Sequence, residues 1–314
     1  MRPAVNLFSP KIESLINHPD TPKNSRDPCA HSSHRPGLLV SVRNWQEAST
    51  ALNSGVDVLD LKEPFRGPLG FVEPDEILNV IAGLDGNIDR HGRVPLSVAL
   101  GELSDWAQPG KANDRGNELV TRSVSEDECC PSLTLRVSKN LKPLPMQVRF
   151  AKLGLAGMGS QADWQILWHR AMSQVGEHIS PVAVAYADHA LADSPDPDEI
   201  LAFAVESGCK AFLIDTWEKS AGSLTRHLSV QAITHFVERA RAVGMTIALA
   251  GSLSLSDIPA IVQCKPDLIA IRSAACSGGR SGTICSEKIG EFKRQIMVNS
   301  SGVDSLTFND ESLV

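Results

Sequence analysis

A (β/α)8 TIM barrel is predicted by three features of this sequence. Short apolar runs of strand type alternate with amphipathic helical stretches, and eight such runs fall between residues 38 and 274. The runs are apolar enough for burial on both faces, as in a parallel sheet covered by helices. Alternating βα units in that number favour a closed barrel over an open, doubly wound sheet.

The first strand is Leu38-Leu39-Val40-Ser41-Val42. Asn44-Trp45-Gln46-Glu47 has capping-box spacing and opens a helix that Gly55 stops. Residues 56–62 form the second strand, with a helix near 74–84. Strands follow at 94–103 and 149–156, then helix 162–175, strand 181–188, helix 197–207 and strand 209–217. Asp196-Pro197-Asp198-Glu199 supplies an N-cap and a proline at the first helical position, and Gly208 and Gly244 end helices just before strands. Helix 229–242, strand 245–252, helix 256–263, strand 267–274 and helix 286–297 complete the pattern.

The chain has 314 residues, a length that by itself allows two domains. The pattern instead places one barrel at 37–297. Residues 1–36 are rich in Pro, Ser, Asn and His and are expected to be a disordered extension, or to follow a start codon placed too far upstream. Residues 104–147 are polar and broken by Gly and Pro. They are expected to be a partly disordered insertion that replaces or displaces the third helix. Residues 298–314 are expected to form a flexible tail.

Composition excludes several function classes. Thirty basic against 37 acidic residues give a net charge of −7, so no basic footprint points to nucleic acid. Aromatic residues are only 5%, with Tyr186 the single tyrosine, which is low for a base-stacking surface. No run approaches about 18 apolar residues, so no membrane span is expected. The N-terminus lacks the apolar core of a signal peptide. Seven cysteines, scattered and without CxxC spacing, argue against a disulfide framework or zinc ribbon and for a reducing cytoplasm. Cys29, His31 and His34 imitate a metal site but fall in the extension, and Cys129-Cys130 falls in the insertion; no metal is expected. A homo-oligomer is left open.

Catalytic side chains of such barrels stand at the C-terminal ends of strands. Strand 2 ends in Asp60-Leu61-Lys62, where period-two alternation puts Asp60 and Lys62 on one face. Strand 3 ends in Glu102, strand 4 carries Lys152, and strand 5 places Tyr186 and Asp188 on a common face. Strand 6 gives Asp215, with Lys219 four residues later. A lysine within a strand needs a partner to offset its burial. Three lysines at one end, each near a carboxylate, point to imine chemistry: a desolvated amine near another cation loses its proton and attacks a carbonyl. Lys62, Lys152 and Lys219 are all candidates for the imine on chemistry alone. Small residues after strand 7 (Gly251, Ser252) and strand 8 (Arg272, Ser273, Gly278, Gly279) suit a phosphate cradle. Tyr186 and Asp188 are further candidates for contact with a small phosphorylated aldehyde.

Asp60-Leu61-Lys62-Glu63-Pro64 with Gly67-Pro68-Leu69-Gly70 resembles a D-x-K-x-P…G-x-L-G signature, and Lys152-Leu153-Gly154-Leu155 a K-x-G-L segment. Ile214-Asp215-Thr216 with Lys219 resembles L-D-T-x-x-K; Ala250-Gly251-Ser252 resembles A-G-S. Arg272-Ser273-Ala274-Ala275-Cys276-Ser277-Gly278-Gly279 resembles R-G-A-A-C-x-G-G, with Ser273 where glycine is frequent. These motifs are those of the (5-formylfuran-3-yl)methyl phosphate synthases, also called 4-(hydroxymethyl)-2-furancarboxaldehyde-phosphate synthases. The resemblance spans 37–103 and 148–296, leaving out 1–36, 104–147 and the tail.

The resemblance implies a (β/α)8 barrel and a carbon–oxygen lyase that condenses two glyceraldehyde 3-phosphate molecules into a furan aldehyde phosphate, with loss of phosphate and water, for methanofuran biosynthesis. It further implies that Lys62 forms the Schiff base and Lys152 accepts the proton, with Asp60, Asp215 and Lys219 tuning and relaying protons, and no cofactor. The alternatives are another Schiff-base aldolase of sugar phosphates and a non-catalytic phosphate-binding barrel.

Overall fold

The computed structural model describes residues 35–87, 94–106 and 143–306. The expected extension before residue 35, the insertion between 107 and 142 and the tail after 306 lie outside the described residues, as do Cys29, His31, His34, Cys129 and Cys130.

Eight parallel strands close into a barrel in sequence order. They are β1 Gly37–Val42, β2 Val58–Leu61, β3 Leu96–Glu102, β4 Val148–Gly154, β5 Ser180–Tyr186, β6 Ala211–Asp215, β7 Thr246–Leu249 and β8 Leu268–Ile271. β1 pairs with β8, Leu39 opposite Ala270, which seals the ring. Helices α1 Trp45–Asn53, α2 Pro74–Asp85, α4 Trp164–Met172, α6 Pro197–Glu206, α8 Val230–Ala242, α9 Ile258–Gln263 and α10 Ser286–Leu306 follow successive strands, with short turns α3 Leu103–Trp106, α5 His189–Ala192 and α7 Leu224–His227 between them. Among the described residues α3 is all that follows β3. No helix of the described residues is long and apolar enough to cross a membrane.

Strand periodicity sorts the core into two apolar clusters. Val40, Leu59, Val98, Ile214, Ile247 and Ile269 pack outward beneath the helices. Leu39, Val58, Val184, Leu213 and the alanines 99, 211, 248, 250 and 270 face inward. Barrel interiors are ordinarily filled by bulky branched side chains. Alanines on β3, β6, β7 and β8 leave the space that the long side chains of β2 and β4 occupy.

Helix signals work as physics predicts, with one change. Asn44 caps α1 by accepting from Glu47 N at 3.0 Å, but the Glu47 carboxylate reaches past the cap to Arg43 N at 2.9 Å. It also pairs with Arg272 at the end of β8. Helix α10 runs past the expected stop, and in its later turns Asn299, Ser300 and Ser301 bond back to carbonyls one turn earlier. Beyond β8 lies a small hairpin absent from the sequence reading, β9 Cys276–Ser277 with β10 Thr283–Ile284.

Arg272 is the strut of this region, buried although it borders the cleft. Its guanidinium donates to Glu47, to Ser41 O at 3.1 Å, to Arg280 O at 3.1 Å and to Gly282 O at 3.0 Å. Every N–H is committed, so the side chain has none left to contact a phosphate. It ties β1, α1 and the hairpin to β8. Removing one member of a buried pair strands the other, at a cost of about 3–5 kcal/mol. Arg272→Met is therefore expected to lower the thermal midpoint strongly. Adding Glu47→Gln to that variant should recover part of the loss, as read by calorimetry.

Candidate active site

The barrel opens at the C-terminal strand ends into a cleft of about 480 Å³. Asp60, Lys62, Lys152, Asp215 and Lys219 line it together with Gly251, Ser252, Arg272, Ser273 and Arg280. The strand registers explain the convergence. Ser41 sits beside Asp60 across β1 and β2, Ala99 beside Lys152 across β3 and β4, and Tyr186 beside Asp215 across β5 and β6.

The charges pair unequally. Lys152 forms an ion pair with Asp60, whose other oxygen accepts from Ser41 Oγ at 3.0 Å. Lys219 pairs with Asp215 at 2.7 Å and also bonds Thr216 O. Lys62 is only 7% exposed, and among the described residues its Nζ makes no hydrogen bond or ion pair. Burial lowers the Lys62 amine to about pH 7; Asp215 and Asp60 oppose that shift, and the Lys219 and Arg280 charges reinforce it. Burial alone would raise the Asp60 carboxyl, yet the Lys152 and Lys62 charges hold it below its ordinary value. Asp215 sits at about 2: burial pushes it up, and Lys219 and Lys62 outweigh that. Both carboxylates therefore stay ionised at neutral pH, and their lysines occupy them. Such a site holds a neutral amine beside fixed acid–base pairs.

Tyr186 and Asp188 act one layer back. Tyr186 is buried and donates to Glu102 Oε1 at 2.6 Å, while Ala156 N donates to Glu102 Oε2 at 3.0 Å. Burial raises the Glu102 carboxyl to about 7 against both of those bonds. A side chain at Gly154 would lie 2.0 Å from Glu102 Oε2, so the glycine after Lys152-Leu153 makes room for this glutamate. Asp188 accepts from Trp217 N at 2.6 Å and Glu218 N at 2.8 Å, fixing the β6 loop that carries Lys219. Neither Tyr186 nor Asp188 lines the cleft.

The two loops of small residues divide in role. Ser252, in the cleft wall, holds a left-handed φ of 48°, a strained conformation typical of functional loops. Gly278 and Gly279 are exposed and are not among the residues lining the cleft. With φ of 86° and 75° they turn the hairpin so that Arg280, the next residue, reaches back over the mouth. Sequence reasoning missed Arg280; its position directly after the paired glycines was the available signal. Among the described residues no three His, Cys, Asp or Glu side chains gather as a metal site.

A family model described as 4-HFC-P synthase matches residues 38–125 and 132–293. The chain belongs to the 4-HFC-P synthase family. The (5-formylfuran-3-yl)methyl phosphate synthase of Methanopyrus kandleri is 30% identical over 251 residues, covering 78% of this chain and 91% of that one. The enzyme of that name from Methanococcus maripaludis is 29% identical over 245 residues, covering 77% and 90%. The family match also runs through 104–125 and 132–147, where sequence reading found no resemblance. Most of that stretch is thus part of the 4-HFC-P synthase pattern.

Burying an unpaired lysine costs stability, and the sign follows from linkage. The unfolded chain holds the Lys62 proton up to about pH 10, whereas the fold releases it near 7. Between those values the unfolded state binds more protons, so stability rises with pH. Lys62→Met should raise the thermal midpoint at pH 7 by on the order of 5 °C. The gain should shrink towards pH 10, as followed by scanning calorimetry at both values.

Proposed function

We propose that this chain condenses two glyceraldehyde 3-phosphate molecules into (5-formylfuran-3-yl)methyl phosphate through a Schiff base on Lys62, with loss of phosphate and water. The product would supply the furan of a methanofuran-type one-carbon carrier. The observation that carries this reading is the Lys62 amine: buried, unpaired, near neutrality and flanked by two lysine–carboxylate pairs. Family membership supports the overall reaction, because the named relatives are synthases of that phosphate.

In this mechanism Lys62 Nζ attacks the aldehyde carbon, and the carbonyl oxygen leaves as water to give an iminium. The iminium draws electrons from the neighbouring carbon, whose proton passes to Lys152. Lys152 can accept only as a neutral amine, so its own proton first passes to the Asp60 carboxylate paired with it, and Asp60 gives that proton up to a departing oxygen later in the cycle. Lys219, held by the Asp215 carboxylate, protonates oxygens as they depart. The phosphate rests against the backbone amides of Gly251, Ser252 and Ser273, which present donors without bulky side chains. Arg272, Tyr186, Asp188, Gly278 and Gly279 contribute by holding loops.

Purified protein given glyceraldehyde 3-phosphate should release the furan aldehyde phosphate. Borohydride added during turnover should fix substrate mass on the peptide containing Lys62. Lys62→Ala should lose roughly 10³-fold or more in turnover. The dependence of kcat/KM on pH should rise through about 7 as the amine sheds its proton. Cleavage of a sugar phosphate without furan formation would select an aldolase instead; ligand binding without turnover or trapping would select a binding barrel.

A further inference from the structure

Once the ion pairs of the cleft are drawn, two cations remain without an anion among the described residues. Lys152 has Asp60, Lys219 has Asp215 and Arg272 has Glu47. Lys62 and Arg280 have none. Lys62 meets this by shedding its proton; a guanidinium cannot do so near neutrality. Arg280 is half-buried at the cleft mouth, and one N–H of its Nη2 donates to Gly67 O at 2.8 Å. Its other N–H groups have no protein partner among the described residues.

The hairpin is built to put this side chain where it is. Gly278 and Gly279 turn the chain with positive φ, Gly282 N closes the turn on Gly279 O at 3.0 Å, and Arg272 holds the carbonyls of Arg280 and Gly282. A side chain at Gly282 would lie 1.9 Å from Ser277 O, so the turn admits no other residue without moving. The guanidinium thus stands on a fixed base between the loops after β2 and β8. The amide cradle at Gly251, Ser252 and Ser273 belongs to the loops after β7 and β8.

We propose that Arg280 is a second anion site in the cleft, which takes the phosphate of one phosphorylated aldehyde while the amide cradle holds that of the other. The inference rests on the condensation reading above for the identity of the second ligand. A guanidinium with free N–H groups in fork geometry is suited to a phosphate monoester. Phosphate arriving there would also neutralise the charge facing Lys62, so that loading the second substrate favours a protonated imine on the first.

The test uses the wild-type chain and phenylglyoxal, which modifies free guanidinium groups, with peptide mapping of Arg280 and inorganic phosphate as the probe. Phosphate should slow modification of Arg280 at least fivefold and saturably. A residue that merely latches the β2 loop would be modified at an unchanged rate, and that result overturns the proposal. This measurement decides for Arg280 even if no furan is formed.

Where condensation is observed, Arg280→Met should raise KM for glyceraldehyde 3-phosphate at least tenfold. Borohydride should still fix one substrate on Lys62 in that variant, because the cradle is intact. The acid limb of kcat/KM should move to higher pH, since a cation near Lys62 has gone. An unchanged KM in the folded variant would equally overturn the proposal.

Discussion

Two buried carboxylates face three lysines at the mouth of this barrel, Lys62 and Lys152 buried and Lys219 partly so, and the chemistry of the site follows from that inequality. Asp60 is taken by Lys152 and Asp215 by Lys219, so both acids remain ionised and both partner lysines are fixed. Lys62 feels both carboxylates at a distance but is paired with neither. In a dry site the cheapest state for such an amine is the neutral one, which is also its nucleophilic state. The stability lost by burying Lys62 and the reactivity gained have one cause.

The surrounding structure preserves this arrangement. Interior alanines open the volume that the lysines cross. Arg272 and Glu47 lock β8 to the first βα unit, Asp188 pins the loop that presents Lys219, and Tyr186 with Glu102 fills the barrel top between β3, β4 and β5. These residues are buried and hydrogen-bonded to one another or to the backbone, so they hold the site through their protein contacts. Arg280 is the contrary case, a cation whose base is anchored and whose N–H groups are largely free.

The barrel and its lysine-bearing end were legible in the sequence because strands alternate with period two. Asp60 and Lys62 must share a face wherever the strand lies, and Lys152 and Asp215 fall on interior positions by the same rule. The loops were less legible. Gly278 and Gly279 read as small residues in a loop, and nothing local in the sequence shows that they turn a hairpin with positive φ just before Arg280. Arg272 looks like a ligand contact until Glu47 meets it, and residues 225 positions apart leave no local trace of each other. The polarity of 104–147 suggested an insertion foreign to the family, yet the family match runs through most of it. Polar, broken sequence carries little periodicity from which to read kinship.

The central claim is that Lys62, unpaired among the described residues, presents a free amine near neutrality. Brief labelling with acetic anhydride across pH 5–10, with peptide mapping, measures this directly. The account predicts that Lys62 is modified with a midpoint near pH 7. Modification of Lys62 only above pH 9 would contradict it.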